Sequence, residues 1–246
     1  MTLSHNKLKQ LRALHQKKYR DLQGRYLAEG RRTVSEMLLA SGPVEEILLR
    51  EGPDTTMKDL AVQAEKAGIT VHCMNGKTYD RITRTTHPAG IAAVCRVVPG
   101  TSNREGNWIY LDRISDPGNA GTILRTAVWF GCTNMAFSPA SVDAYNPKVV
   151  RAAMGAHARC NIVEQTSWQD LPVTTILAAD MSGTPVEESP LPAEPWMLVL
   201  GSEAHGLSPE LKQVATMQVA IPRRGQGESL NVSVAAGILL YRLCKV

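Results

Sequence analysis

The sequence predicts an α/β chain in two parts, a small α/β domain followed by a larger one built on a mostly parallel sheet covered on both faces. Three observations predict it. Apolar residues at three- and four-residue steps alternate with short apolar runs of strand length along the chain. The alternation is interrupted between Pro99 and Asn107 (Pro-Gly-Thr-Ser-Asn-Arg-Glu-Gly-Asn), a stretch without apolar periodicity. The chain has 246 residues, of which 43% are hydrophobic and 20% charged, which suits a folded protein with one large core or two smaller ones. Strands that alternate with helices pair in parallel and bury both faces of their sheet.

The elements follow in order. Leu8, Leu11, His15, Tyr19, Leu22 and Tyr26 make one stripe of an N-terminal helix, with Lys7, Lys9, Arg12, Lys17, Lys18 and Arg20 on its other faces. A second helix covers 30–39 and stops at Ser41-Gly42-Pro43. A strand at 44–49, a helix at 57–67 and strands at 69–73 and 91–98 complete a domain spanning 1–98, with 99–106 as linker. In the second domain, 107–246, strands at 108–111, 134–137, 175–179, 195–200 and 217–221 alternate with helices at 120–130, 147–154, 208–215 and 232–243. In such sheets ligands bind beyond the carboxyl ends of the strands, so the loops there should carry the chemistry.

Charge is unevenly distributed. Residues 1–32 hold nine Lys and Arg against two Asp and Glu, within a chain whose net charge is only +4. Clustered cations on one element are the footprint expected for a phosphate backbone, though a solvated helix face explains them equally well. Aromatic residues are 5% of the chain, too few for a base-stacking platform. No apolar run is long enough to span a bilayer, and the N-terminus has no apolar signal core. The cysteines at 73, 95, 132, 160 and 244 are odd in number and have neither metal-ligand nor redox spacing. A cytoplasmic protein with free thiols and no metal is therefore expected.

Three loops stand out. Asp112 to Arg125 joins a strand to a helix and offers Asn119 at a plausible N-cap, with Arg125 further along. Leu198 to Ser208 is an apolar strand ending in Gly201-Ser202-Glu203, with a further glycine before a capped helix, the shape of a small-molecule loop. Ile221 to Ser233 combines glycines, two arginines, Ser229 and Asn231 ahead of an apolar helix. It has no Walker A lysine and no Gly-x-Gly-x-x-Gly after a first strand, so neither ATP nor NAD is indicated. Taken singly, each loop also reads as an ordinary turn.

In combination and order they resemble the signature motifs of the SpoU family, the ribose 2′-O-methyltransferases of the SPOUT class. The matching pieces are Asn119-Ala-Gly-Thr-Ile-Leu-Arg125, Gly201-Ser-Glu203-Ala-His-Gly206-Leu-Ser, and Ile221-Pro222 through Ser229-Leu230-Asn231-Val-Ser-Val-Ala-Ala. Tyr145 to Ala156, which includes Arg151, also looks like a family segment. Glu29-Gly30-Arg31 and Thr86-His87-Pro88-Ala89-Gly90-Ile91 are similar to the family's substrate-binding domain. Ser202, Ala204 and Ala153 depart from the common residues at their positions.

The resemblance implies a ribosomal-protein L30e-like RNA-binding domain ahead of an α/β-knot methyltransferase domain that binds S-adenosylmethionine and pairs as a homodimer. It assigns Arg125, Asn119, Glu203, Ser229 and Asn231 to catalysis. Leu200, Gly201, Ile221, Pro222, Leu230 and Asn231 fall to the cofactor, and Lys17, Lys18, Arg20, Arg31, Arg32 and Arg151 to RNA. Ribosomal RNA, most of all 23S, is the expected substrate, with transfer RNA second. A base-methylating SPOUT enzyme and a non-catalytic RNA-binding protein are the rival classes.

Overall fold

The computed structural model describes residues 3–83 and 88–244. Thr86 and His87, two residues of the N-terminal resemblance, lie outside the described residues.

The N-terminal stripe does not form one helix. Ser4 caps α1 (His5–Ala13) by accepting from the Lys7 N–H, and α2 (Lys17–Gln23) ends at Gly24, which takes the left-handed conformation that favours glycine (φ 60°). Tyr26 therefore falls on β1 (Arg25–Glu29), and Leu22, expected on the buried stripe, is exposed. Next come α3 (Arg31–Leu39), β2 (Val44–Arg50) and α4 (Thr55–Lys66), capped by Asp54. Then follow β3 (Thr70–Met74), α5 (Gly76–Ile82), capped by Asn75, and β4 (Ile91–Arg96). The sheet order is β1-β4-β2-β3, with β4 antiparallel to both neighbours and β2 parallel to β3. Leu11, Leu14, Leu27, Leu48, Tyr79 and Val94 share its core.

The second run comprises β5 (Trp108–Asp112), α6 (Pro117–Trp129), β6 (Asn134–Phe137), α7 (Pro147–Ala153) and β7 (Asn161–Val163). It continues with β8 (Thr175–Pro185), β9 (Trp196–Gly201), α8 (Pro209–Val214), β10 (Met217–Ala220) and α9 (Val232–Leu243). Its sheet runs β10-β8-β9-β5-β6-β7, and every pairing is parallel, as the alternation of elements predicts. β1, α5 and β7 are additions to the predicted set.

The chain divides into two compact units, Met1–Val98 with Tyr145–Arg159, and Pro99–Ala144 with Cys160–Val246. The return of Tyr145–Arg159 to the first unit has a packing cause. The rings of Tyr145 and His157 lie 5.0 and 5.8 Å from that of Tyr26, and a Cβ on Gly155 would come within 2.6 Å of the Glu36 Cβ.

Residues 99–107, loop-like in sequence, are tied to the second unit. Buried Asn161 accepts from the Thr101 N–H (2.9 Å) and donates to the Thr101 carbonyl (3.0 Å) and to Asn134 Oδ1 (3.2 Å). Asn134 donates to the carbonyls of Glu105 (3.1 Å) and Asn107 (3.2 Å), and Asn107 Oδ1 accepts from the Trp196 N–H (3.0 Å). Removing one partner of a buried pair leaves the other unsatisfied. Asn161→Ala is therefore expected to lower stability by about 1–3 kcal/mol, read from urea unfolding.

Candidate active site

The all-parallel sheet brings the carboxyl ends of its strands to one edge. β5 lies beside β9, with Asp112 paired to Gly201, so the loops after these strands are neighbours. After β5, Asp116 rather than Asn119 caps α6. Its carboxylate accepts from the Asn119 N–H (2.8 Å) and Pro117 occupies the first turn. Asn119 is thereby held inside that turn, 9% exposed, with its amide turned to partners outside the helix.

After β9 the chain folds back on itself. The Gly206 N–H donates to the Ser202 carbonyl (2.7 Å), and a Cβ on Gly201 would lie 2.4 Å from the Gly206 carbonyl carbon. This tight turn projects Glu203, whose Oε1 accepts from Asn119 Nδ2 (2.6 Å) and from Asn231 Nδ2 (2.9 Å). Asn231 caps α9 through its own Oδ1, which accepts from the Ser233 N–H (2.9 Å), and its amide also donates to Asn119 Oδ1 (2.9 Å). α9 packs against α6 and carries Asn231 to that point. One carboxylate and two amides from three distant segments thus close a single network.

Beside it lies a cavity of about 550 Å³ bounded by the middle of β8, the ends of β9 and β10 and the loops that follow them. Leu200, Gly201, Ile221, Pro222 and Leu230 line it, and Asn231 sits between two lining residues, Leu230 and Val232. Ser229 is exposed and lines the cavity too. Arg125 is exposed on α6 and is not part of the wall. Six residues of helix turn it about 120° round the axis from Asn119. The volume, the aliphatic wall and the backbone at strand ends suit a flat heteroaromatic ring with an attached sugar, so the residues present fit an adenosine-bearing cofactor.

Asp180, on β8, also lines the cavity and accepts from Lys212 Nζ on α8 (2.6 Å) and from the Ser182 N–H (2.9 Å) and hydroxyl (2.7 Å). Burial alone would raise its pKa, but the Lys212 and Ser182 bonds outweigh it and hold the carboxyl at about 2. A depressed carboxyl stabilises the fold above its unfolded value of about 3.9, and that stability is lost as pH falls through about 2. The stability gap between the unaltered protein and Asp180→Asn should be widest above pH 4 and close towards pH 2, as followed by denaturant unfolding at each pH.

The cations expected to meet RNA are scattered in their fates. Lys17, Lys18, Arg31, Arg32 and Arg151 are exposed, with Lys17 paired to Asp21 and Arg31 to Asp54. Arg20 is corrected: it is 3% exposed, and its Nη1 donates to the Leu14 carbonyl (2.9 Å) in the break between α1 and α2. Its guanidinium is part of the fold and does not belong with the RNA-facing cations. Asp180 and Lys212 escape a sequence reading because nothing local marks them. Asp116 is legible, since Asp-Pro ahead of an apolar period is a helix-start signal.

Among the described residues no helix is long and apolar enough to cross a membrane, and no cluster of three or more His, Cys, Asp or Glu is placed to hold a metal ion. The five cysteines are free. Burial pushes the Cys95 and Cys160 thiols up to about 12, which makes them poor nucleophiles.

Residues 106–241 match the SpoU rRNA methylase family, and residues 5–93 match an MRM3-like substrate-binding domain. The chain is 32% identical to a Bacillus subtilis 23S rRNA (guanosine(2553)-2′-O)-methyltransferase, RlmP, over 97% of this chain and 96% of that protein. It is 28% identical to human mitochondrial rRNA methyltransferase 3, over 91% of this chain and 68% of that protein. A crystal structure of an rRNA methyltransferase from Sinorhizobium meliloti with AdoMet bound superposes with a TM-score of 0.83 at 28% identity, covering 99% of this chain and 95% of that one. The chain belongs to the SpoU rRNA methylase family.

Proposed function

We propose that this protein transfers a methyl group from S-adenosylmethionine to the 2′-hydroxyl of a ribose in 23S ribosomal RNA. The observation that carries the reading is the Asn119–Glu203–Asn231 network closed beside a cavity of adenosine size. When bound, the cofactor supplies a methyl group on a sulfonium that is already a good leaving group. The chain's contribution is therefore positioning and charge stabilisation.

Leu200, Gly201, Ile221, Pro222 and Leu230 would hold the adenosine part of the cofactor. Asn119 and Ser229 hold the target ribose, and Glu203 with Asn231 fixes the Asn119 amide. Arg125, which does not line the cavity of its own chain, faces the negative charge that develops on the 2′-oxygen in a site completed across the homodimer. A guanidinium stays protonated in proteins, so Arg125 stabilises that oxygen and orients the nucleotide, while the hydroxyl proton passes to solvent water. Mapping 2′-O-methyl positions in total RNA with and without the protein tests the assignment. Loss of one site in 23S rRNA is expected. Loss of a transfer-RNA site, or of none, contradicts it.

The basic segment before residues 99–106 docks RNA, and the methylase segment binds the cofactor. The match of 5–93 to a substrate-binding domain supports this. Replacing Lys17 and Lys18 by Gln should weaken RNA binding and reduce its log–log salt slope by about 0.7–0.9 for each phosphate no longer neutralised, measured by filter binding across salt concentrations. An unchanged slope returns α2 to a solvated face. Trp129, Val234, Ile238 and Tyr241 form exposed apolar surface on α6 and α9, with Trp129 84% exposed, which supports a homodimer through these helices. The family resemblance implies a knotted threading of this segment. The free cysteines support a cytoplasmic location.

A further inference from the structure

The turn that carries Glu203 is gripped from outside the cavity by two residues that neither the network nor the wall contains. Arg113 follows β5 with φ 58°, in the left-handed region that disfavours a non-glycine residue. Its N–H donates to Ser138 Oγ (2.9 Å), which lies 3.0 Å from Ser141 Oγ, and the Ser141 hydroxyl donates to the Leu111 carbonyl (2.8 Å). So held, its guanidinium donates to the Gly206 carbonyl (3.3 Å) and sits 3.4 Å from the carboxylate of Asp112. Asp112 is 4% exposed, and its Oδ2 accepts from the Ser208 N–H at 2.7 Å. Together the pair binds both ends of Gly206–Ser208, the return limb of the turn, whose Gly206 and Leu207 line the cavity.

We propose that Asp112 and Arg113 are positioning residues for S-adenosylmethionine: a strained arginine and a buried aspartate lock the Gly201–Ser208 turn in the shape that presents the cavity wall and Glu203. The proposal rests on the cofactor reading of that cavity. A backbone strain kept where a side chain reaches a ligand loop, rather than in the core, is the pattern expected of preorganisation.

Arg113→Gly separates positioning from stability, because glycine takes φ 58° without strain while the guanidinium is lost. The strain relief offsets the lost bond, so Tm should stay within about 3 °C. The Kd for S-adenosylmethionine, by isothermal titration calorimetry, should rise about tenfold, the size of one charge-assisted hydrogen bond. In methyl transfer the KM for the cofactor should rise with it, and kcat should fall as well, because the same turn carries Glu203. Asp112→Asn keeps an acceptor for the Ser208 N–H and should weaken binding less than Asp112→Ala. An Arg113→Gly protein that binds within twofold of the unaltered one overturns the proposal, as does one whose Tm falls in step with its affinity. If the unaltered protein binds no S-adenosylmethionine, the cofactor reading fails first and takes the proposal with it.

Discussion

Arg125→Ala is expected to slow methyl transfer by about 10²- to 10³-fold, the range seen when one preorganised charge-stabilising donor is removed. Its fold and its S-adenosylmethionine affinity should be unaffected. Alanine is the best helix former and the position is exposed, so α6 does not suffer. Arg125 is no part of the cavity wall, so cofactor affinity does not follow the rate. Single-turnover transfer of labelled methyl to RNA reads the first effect and calorimetry the second. Near-normal turnover in this variant removes Arg125 from the mechanism. Arg125→Lys keeps a charge but not the planar fork, so it should recover only part of the rate.

Gly201→Ala is the second large effect, and its cause is steric. The new methyl would lie 2.4 Å from the Gly206 carbonyl carbon, 2.5 Å from the Leu207 nitrogen and 2.6 Å from the Gly206 oxygen. All three are backbone atoms, so the turn must open. Opening it withdraws Glu203 from Asn119 and Asn231 and lifts the wall formed by Gly206 and Leu207. More than tenfold weaker S-adenosylmethionine binding is expected, together with loss of transfer, because a loop that must be reordered on binding subtracts that cost from the affinity. Binding within twofold of the unaltered protein would show that this turn does not shape the site.

The second sheet is legible in the sequence because an all-parallel sheet leaves a coarse signature. Its strands read as apolar runs, such as Trp196–Leu200, separated by helical periods. The loops at its carboxyl edge can therefore be placed from sequence, and three of the residues named there, Asn119, Glu203 and Asn231, meet in one network. What stays hidden is set by contacts distant in sequence. β1 is hidden because Tyr26 continues the helical stripe of α1 and α2, and only the left-handed Gly24 redirects the chain. Arg20 reads as a surface charge, yet it fills the break between two short helices, where it meets the Leu14 carbonyl. Residues 99–107 read as a free linker because the asparagines that bind them, 134 and 161, come from other strands. The left-handed Arg113 has no sequence mark either, since its conformation is imposed by Ser138 and by the turn it grips.

Whether this fold methylates a ribose hydroxyl in ribosomal RNA can be decided in a single reaction. Purified protein is incubated with isotopically labelled S-adenosylmethionine and unmodified 23S rRNA, and the RNA is digested to nucleosides for mass spectrometry. Label should appear in a single 2′-O-methylnucleoside, and its initial rate of incorporation should be about 10²- to 10³-fold lower in a parallel reaction with Arg125→Ala. Label in a base-methylated nucleoside, or no label at all with a protein that binds the cofactor, would overturn the ribose assignment.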